Sequence, residues 1–268
     1  MNKISAIQMT STSSVVDNLT SVESLIKIAV DQGSSLVVLP EMFPIAGLET
    51  ADKVNISEQY GSGLIQDFLS HQSKENKLWI IGGTIPIKSD NPHKVRAACL
   101  VFDDKGSVVA RYDKMHLFDV VVSETEAYQE SATTEAGTDI SVVDTPFGKI
   151  GLSVCYDIRF PELYRKMFDR GAEIFTIPAA FTLKTGAAHW EVLARSRAIE
   201  NFCYVIGAAQ TGTHENGRKT YGHSLIINPW GEVMHQLAEG QGVITADIDL
   251  DALKQIRKNI PVDQHRKI

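Results

Sequence analysis

Residues 149–178 decide the fold, and they read KIGLSVCYDIRFPELYRKMFDRGAEIFTIP. The stretch predicts three elements in succession: a strand over Lys149–Cys155, a helix over Pro161–Arg170 and a strand over Glu173–Ile177. Proline favours the first turn of a helix and glycine favours its C-terminal cap, and Pro161 and Gly171 stand at these two places. Because the strands are largely apolar, the unit is typical of an α/β protein whose sheet is covered on both faces.

The same alternation continues along the whole chain. Further strand candidates are Ile4–Met9, Leu36–Pro40, Leu78–Ile85, Ala98–Asp103, Val108–Tyr112, Ile140–Asp144, Cys203–Ala209, Ser224–Asn228 and Val243–Ile248. Further helix candidates are Asn18–Gln32, Leu64–Asn76, Ala187–Asn201 and Leu250–Lys258. The longest irregular segment is Asp119–Thr138, and an uncovered loop of that length is usually functional. No linker composition divides the chain, so we expect one domain over residues 1–268.

Two segments share one pattern of helix end, buried strand and proline. They are Gly33–Pro40 and Gly171–Pro178. The pattern indicates either two similar sheet halves that pack together or an ordinary helix-to-strand unit that occurs twice, and the sequence leaves both open. Only the first copy is followed by a carboxylate, that of Glu41, whereas the second is followed by Ala179.

The composition predicts a globular protein with a sizeable core. Of the 268 residues, 43% are hydrophobic and 22% are charged, which excludes wholesale disorder. The formal net charge is −7 and no dense basic block occurs, so we expect no nucleic-acid partner. No apolar run approaches the ~20 residues of a membrane span, and the chain opens on a strand-like alternation instead of a signal peptide. We therefore expect no membrane association.

The three cysteines favour a reducing compartment. Cys99, Cys155 and Cys203 are an odd number at wide spacing, which argues against a disulfide framework and predicts a cytoplasmic protein. The sequence has no C-x-x-C or H-E-x-x-H spacing, so we expect neither a metal ion nor an organic cofactor. Cys99 and Cys203 lie inside apolar strand runs and are expected to be buried. Cys155 lies at a strand-to-helix turn, where a thiol can be exposed.

Three reactive side chains follow predicted strands, where open α/β sheets place their ligands. They are Glu41, Lys114 and Cys155. A thiol with a pKa near ~8.5 needs a base at neutral pH, and a carboxylate can be that base. An ammonium group can stabilise the oxyanion that forms when the thiolate attacks an amide, and the backbone N–H of Tyr156 can help it. Together these residues predict thiol chemistry on a carbonyl compound.

At these residues the chain resembles the nitrilase superfamily of carbon–nitrogen hydrolases. The resemblance rests on Leu39–Glu41, Tyr112–Asp119 and Gly151–Glu162, and it continues through Ala188–Glu191, Arg195–Asn201, Tyr221–Ser224, Asn228–Gly231, Pro261–Val262 and His265–Arg266. It therefore covers essentially the whole chain. The resemblance implies a four-layer α-β-β-α sandwich and a catalytic triad of Glu41, Lys114 and Cys155. It also implies a second glutamate near the lysine, and Glu130 matches it, with Glu124 and Glu126 as neighbours.

The C-terminal half narrows the resemblance to one branch. Phe181–Gly186 with Ala188–Glu191 is similar to the deaminated glutathione amidases and the ω-amidases, and Ala208–Gly212 favours the first group. The resemblance implies hydrolysis of a linear amide of a 2-oxo-dicarboxylic acid through a cysteine thioester. The expected reaction converts deaminated glutathione to 2-oxoglutarate and cysteinylglycine. The alternatives are ω-amidase action on 2-oxoglutaramate and a catalytically idle interaction module.

Three further residues are candidates for binding this small-molecule amide. A guanidinium can hold a 2-oxo-carboxylate through two parallel hydrogen bonds, and Arg159 lies four residues after the cysteine. Phe181 and Thr185 follow a strand and are expected to line the same pocket. In the alternative interpretation, Arg159 pairs with Asp157 or Glu162 and only braces the turn.

Two expectations concern histidines and assembly. A Cys155–His116 pair would suggest a papain-like enzyme, but we interpret His116 and His189 as structural. The resemblance implies a homodimer or a larger even-numbered homo-oligomer. Pro161–Arg170 and the C-terminal tail are the candidate contacts.

Overall fold

Two large β-sheets form the centre of the protein in the computed structural model, which describes residues 2–124 and 126–268. The first sheet contains β1 (Asn2–Gln8), β2 (Leu36–Val38), β3 (Trp79–Ile81), β4 (Ile85–Lys88), β5 (Val95–Phe102), β6 (Val108–Asp113) and β17 (Gly242–Ile248). The second sheet contains β9 (Val142–Thr145), β10 (Gly148–Leu152), β11 (Ile174–Ala179), β12 (Tyr204–Ala209), β15 (Ser224–Ile227) and β16 (Val233–Leu237). Two small hairpins pair β7 (Asp119–Ser123) with β8 (Glu126–Gln129) and β13 (Thr211–Thr213) with β14 (Lys219–Tyr221).

Helices cover the outer faces of both sheets. The helices of the described residues are α1 (Val15–Asp31), α2 (Asp52–Asn55), α3 (Leu64–Asn76), α4 (Pro161–Asp169), α5 (Leu183–Asn201), α6 (Leu250–Asn259) and α7 (Val262–His265). Helices α1 and α3 pack on the first sheet, α4 and α5 pack on the second, and β1 packs against β12 and β15 where the sheets meet. The predicted four-layer α-β-β-α sandwich is therefore confirmed. None of the described helices is long and apolar enough to span a lipid bilayer.

Strand alternation explains how the first sheet serves two cores. Successive side chains of a strand point to opposite faces, so a buried strand contributes to both. Leu36 and Val38 of β2 belong to the core that includes the second sheet, whereas Val37 and Leu39 belong to the core under α1 and α3. This arrangement accounts for the continuous apolar run that the sequence shows at β2.

The two sheets share one internal design. Strands β1, β2 and β3 are parallel in the first sheet, β10, β11 and β12 are parallel in the second, and the flanking pairs are antiparallel. The repeated pattern of Gly33–Pro40 and Gly171–Pro178 places β2 and β11 at the middle of these two triplets. This placement favours the interpretation of two similar sheet halves.

Two strands are shorter in the structure than the sequence predicts. The strand expected over Leu78–Ile85 is two strands, β3 and β4, because the chain breaks at Gly83. A Cβ atom on Gly83 would lie 2.1 Å from the carbonyl oxygen of Pro40, so the close approach of the backbone beside Glu41 requires glycine there. The strand expected over Lys149–Cys155 ends at Leu152, because the chain turns into a 3₁₀ helix at Cys155.

The segment expected to be irregular contains regular structure. Asp119–Thr138 includes the β7–β8 hairpin and a 3₁₀ turn over Glu130–Ala132. Three consecutive valines, residues 120–122, lie in β7, and valine favours strands. The acidic composition of the rest of the segment led to the expectation of an irregular loop. Helix α5 also begins earlier than the expected Ala187, because the Thr182 side chain accepts a hydrogen bond from the Thr185 N–H and caps the helix.

Candidate active site

Lys114 is the buried centre of a cluster of charged groups. It follows β6 directly, and its N–H donates to the Ala97 carbonyl oxygen of β5 at 3.0 Å. Its side chain is 2% exposed, and Nζ donates to Glu41 Oε1 at 2.7 Å and to Glu130 Oε2 at 2.8 Å. Burial alone would lower the pKa of Lys114, but the carboxylates of Glu130 and Glu41 outweigh burial and raise the pKa well above its ordinary value. The lysine therefore carries its charge at neutral pH.

Glu130 holds Lys114 from the loop that follows the β7–β8 hairpin. Its Oε2 also accepts a hydrogen bond from the Phe118 N–H at 2.7 Å, so both its orientation and its charge are supported. Burial would raise the pKa of Glu130, but the ammonium of Lys114 lowers it below its ordinary value. Within the described residues neither Glu124 nor Glu126 pairs with Lys114. Of these three glutamates, the structure thus places beside Lys114 the one that the resemblance selected, Glu130.

Glu41 approaches the lysine from the end of β2. The turn that carries it is fixed on both sides, because the Met42 N–H donates to Thr84 Oγ1 at 2.9 Å and Gln210 Nε2 donates to the Glu41 carbonyl oxygen at 3.0 Å. Gln210 follows β12 of the second sheet, whereas Thr84 lies between β3 and β4 of the first. Both sheets therefore hold the backbone of Glu41.

Cys155 occupies a strained turn at the end of β10. Its φ of +47° is in the left-handed region, which costs a residue with a side chain about 1–2 kcal/mol, and such strain often accompanies functional sites. The residue is 6% exposed, so the turn keeps the thiol largely buried, although a thiol at such a turn can be exposed. Burial and the Glu41 carboxylate raise the pKa of the thiol well above its ordinary value, whereas Lys114 and the Ala180 N–H oppose the rise. The thiol is therefore protonated at neutral pH and requires a base for attack.

Asp157 ties the cysteine turn to the lysine segment. It is fully buried, and its Oδ2 accepts hydrogen bonds from the Tyr112 hydroxyl at 2.7 Å and from the Val154 N–H at 2.8 Å. Its Oδ1 contacts the backbone N–H of His116 at 3.1 Å and the Nδ1 of the same residue at 2.6 Å. Tyr112 and His116 flank Lys114 by two residues on each side, and Val154 precedes Cys155. One carboxylate thus fixes the relative positions of the two segments.

A cavity of about 910 Å³ opens over these groups, within the range of small-molecule sites. Its walls include Glu41, Lys114, Glu130, Cys155, Phe181 and Thr185. Six of the residues that we selected from the sequence therefore share one cavity. Cys99 and Cys203 lie elsewhere and are fully buried, as we expected from their strands.

Arg159 stands behind the wall of this cavity instead of lining it. Its guanidinium lies 5.6 Å from the ring centroid of Phe181 and 5.7 Å from that of Tyr156, and it contacts His189 Nδ1 at 3.3 Å. Within the described residues it forms no ion pair, so the turn is not braced by a bond from Arg159 to Asp157 or Glu162. Tyr156 supplies the first peptide N–H after the cysteine.

His116 does not contact the thiol. Its ring stacks on Phe160 with centroids 3.6 Å apart, and its Nδ1 is engaged by Asp157. This geometry disfavours a Cys155–His116 pair and agrees with the interpretation of His116 as structural.

Two cations in the cavity wall were missed from the sequence. Arg218 lies before β14 and Lys53 lies in α2, and both line the cavity. Neither belongs to a motif, and both look like surface residues in a loop and a short polar helix. Only the folding of these segments over the cavity identifies them.

The arrangement supports nucleophilic chemistry at a carbonyl or nitrile carbon. A protonated thiol stands beside a carboxylate that can take its proton, and a charged ammonium can stabilise negative charge on the attacked group. No group of three or more His, Cys, Asp or Glu side chains within residues 2–124 and 126–268 is placed to hold a metal ion.

A four-layer sandwich of this kind, with a thiol, an ammonium group and two carboxylates in one cavity, defines the thiol hydrolases of the nitrilase class. The sequence model of the carbon–nitrogen hydrolase family matches residues 3–258. The chain belongs to this family. It is a hydrolase of the amidase type.

Curated relatives are similar over nearly the whole chain. A deaminated glutathione amidase of Synechocystis sp. is 43% identical over 264 residues, which are 97% of this chain and 96% of that protein. The human deaminated glutathione amidase is 41% identical over 268 residues, which are 98% of this chain and 82% of that protein.

Solved structures share the fold. The Caenorhabditis elegans NitFhit protein superposes with a TM-score of 0.93 at 37% identity, and the match covers 99% of this chain and 65% of that one. Nit3 of Saccharomyces cerevisiae, a member of branch 10 of the nitrilase superfamily, superposes with a TM-score of 0.89 at 29% identity, over 100% of this chain and 97% of that one.

Proposed function

We propose that this protein hydrolyses deaminated glutathione to 2-oxoglutarate and cysteinylglycine, as one catalytic domain over residues 1–268. The observation that carries the proposal is the contact of Lys114 with both Glu41 and Glu130 in the cavity that holds the Cys155 thiol. The relatives named deaminated glutathione amidase support this substrate. The size of the cavity favours it over the smaller 2-oxoglutaramate, because about 910 Å³ can hold a molecule as large as a tripeptide.

The first half of the reaction forms a thioester. Glu41 takes the proton of the Cys155 thiol, and the sulfur attacks the carbonyl carbon of the amide. The oxyanion of the tetrahedral intermediate is stabilised by Lys114 and by the backbone N–H of Tyr156. The intermediate expels the amine of cysteinylglycine, which receives the proton from Glu41. The 2-oxoglutaryl group remains on sulfur.

The second half of the reaction regenerates the enzyme. Glu41 takes a proton from water, and the hydroxide attacks the thioester carbon. The second tetrahedral intermediate expels the sulfur, which is protonated again, and 2-oxoglutarate leaves. Glu130 keeps Lys114 charged and in place through both halves. Arg159, Phe181 and Thr185 are proposed to hold the 2-oxo-acid end, with Arg159 moving towards the carboxylate from behind the ring of Phe181.

The test compares four compounds with the purified protein. Deaminated glutathione, intact glutathione, 2-oxoglutaramate and a simple nitrile are supplied, and kcat/KM is measured for each from product release. The highest value is expected for deaminated glutathione. Mass spectrometry should detect a 2-oxoglutaryl adduct on the peptide of Cys155, and Cys155→Ala should show neither adduct nor product. No hydrolysis and no adduct with any compound would favour an idle interaction module.

We also propose a cytoplasmic homodimer or larger even-numbered homo-oligomer. Three free and buried cysteines support a reducing compartment. Light scattering across a dilution series measures the mass, and a fully active monomer at every concentration would contradict the assembly.

A further inference from the structure

Two cations in the cavity wall, Arg218 and Lys53, differ from Lys114 in their ion pairs. Within the described residues, neither Arg218 nor Lys53 forms an ion pair, whereas Lys114 in the same cavity forms two. A charge that is partly removed from water without a counter-charge is unfavourable. Such groups persist where a ligand supplies the missing charge, so their partner should be an anion that enters the cavity.

The contacts of Arg218 leave its charge unneutralised. One terminal nitrogen donates to the Ala180 carbonyl oxygen at 2.6 Å, and the guanidinium carbon lies 5.0 Å from the ring centroid of Tyr128. Its Nε is buried and has no hydrogen-bond partner within the described residues. The cavity also contains Glu126, but that carboxylate accepts a bond from the Tyr128 hydroxyl at 2.8 Å and does not pair with Arg218.

Lys53 lines the same cavity as Arg218. Its Nζ donates to Thr134 Oγ1 at 2.7 Å. Burial lowers the pKa of Lys53. The charges of Glu130 and Glu41 oppose this effect, whereas the charges of Lys114 and, to a smaller extent, Arg218 add to it. An anion bound between the two cations would relieve their repulsion.

The position of Arg218 connects it to the nucleophile. Ala180, which accepts its hydrogen bond, lines the cavity together with Cys155. A group held by Arg218 therefore lies in the same cavity as the Cys155 thiol.

We propose that Arg218 and Lys53 bind the second carboxylate of the substrate, the one on the leaving dipeptide. The inference rests on the proposed function. Deaminated glutathione carries one carboxylate on its 2-oxoglutaryl half, for which Arg159 is the candidate, and another on its terminal glycine, which needs a different cation. Arginine suits this role because its planar donors match the two oxygens of a carboxylate.

A purely structural role gives a different expectation. The hydrogen bond of Arg218 to Ala180 could serve only to hold the wall beside the thiol, and Lys53 could serve only Glu130. In both cases substitution would impair every substrate equally. A carboxylate site would instead impair only substrates that carry the glycine carboxylate.

The experiment uses the full-length protein and two matched substrates. One is 2-oxoglutaryl-cysteinylglycine, and the other is its C-terminal amide, which lacks only the second negative charge. The variants are Arg218→Met and Lys53→Met, which keep an aliphatic stem, with Lys219→Met as the exposed control next to Arg218. Binding of both compounds to Cys155→Ala, alone and combined with Arg218→Met, is measured by calorimetry without turnover.

The wild type should prefer the acid over the amide by about ten- to a hundredfold in kcat/KM, the usual worth of a charge-assisted contact. Arg218→Met should lose this preference mainly through KM and keep its activity on the amide, Lys53→Met should reduce it, and Lys219→Met should not change it. The calorimetric preference should vanish in the Arg218→Met combination.

Equal losses on both substrates, or no preference in the wild type, would overturn the carboxylate site and leave the proposed function intact. Failure of the wild type to hydrolyse either compound would instead overturn the proposed function. The calorimetric comparison still decides on the anion site in that case, because equal binding of acid and amide would refute it.

Discussion

Replacing Asp157 by asparagine tests whether one buried carboxylate aligns the nucleophile with Lys114. Each carboxylate oxygen of Asp157 contacts two groups, Tyr112 and Val154 on one side and His116 twice on the other. In Asp157→Asn one oxygen becomes an NH₂ group that faces donors. Two hydrogen bonds to a charged acceptor are then lost. At ~1.5–3 kcal/mol each, the free energy of unfolding should fall by about 3–6 kcal/mol.

This loss is large beside the ~5–15 kcal/mol that stabilises an ordinary domain. Tyr112→Phe is therefore the gentler companion. It removes one of the four contacts of Asp157 and a longer hydrogen bond from the Met115 N–H at 3.3 Å, and it should cost about 1.5–3 kcal/mol. Urea unfolding followed by fluorescence gives both values. Turnover of deaminated glutathione is measured below the unfolding transition, and both variants should lose kcat with little change in KM, because the reacting groups move while the binding walls remain.

Asp144→Asn is the matched control. That carboxylate belongs to β9 of the second sheet, and its side chain is 83% exposed, so the change in stability should stay within about 0.5 kcal/mol. A folded Asp157→Asn with the kcat and stability of the wild type would refute the argument that this carboxylate positions the two segments.

Three further outcomes are expected. Cys155→Ala, Lys114→Ala and Glu41→Gln should each abolish turnover without additive losses in combination, and substantial turnover in Lys114→Ala would contradict the mechanism. The alkylation rate of Cys155, measured by peptide mass spectrometry as a function of pH, should have its midpoint above the pKa of ~8.5 of an ordinary thiol, since burial and Glu41 raise the pKa of Cys155. In Glu41→Gln this midpoint should move to lower pH. Burial alone would raise the pKa of Glu130, but the charge of Lys114 lowers it in the folded state. The ionised Glu130 therefore stabilises the folded protein above pH ~4.3, the pKa of an unfolded glutamate. This stabilisation is lost as the pH falls through the lower pKa of the folded state. Glu130→Gln should flatten this acid dependence in urea titrations, and an unchanged slope would contradict the pairing.

The fold was largely predictable because its strands carry strong local signals. The strand candidates before and after the cysteine correspond to β10 and β11, and the expected helix over Leu64–Asn76 matches α3 at both ends. The errors lie where tertiary contacts override local pattern. The Gly82-Gly83 pair is a local signal for the break, but the reason that position 83 requires glycine is the backbone of Pro40, which is distant in sequence.

The site was predictable only in part. Glu41, Lys114 and Cys155 could be selected because each has a reactive side chain directly after a strand. Arg218 could not, because its loop and the neighbouring wall meet only in the folded chain. Asp157 lies two residues after Cys155 in the sequence. Its role in connecting the cysteine turn to the lysine segment depends on contacts to Tyr112 and His116, which are distant in sequence.

The pairing of β1 with β17 affects the order in which the protein can be completed during synthesis. Every strand of the second sheet lies between residues 142 and 237, so that sheet can assemble from one continuous segment of nascent chain. In the first sheet, Asn2–Gln8 pairs along its length with Gly242–Ile248. On the ribosome β1 therefore keeps one edge unpaired until Gly242–Ile248 has emerged, and an open strand edge favours aggregation. Chaperones that protect such edges should associate with this nascent chain early and leave it late.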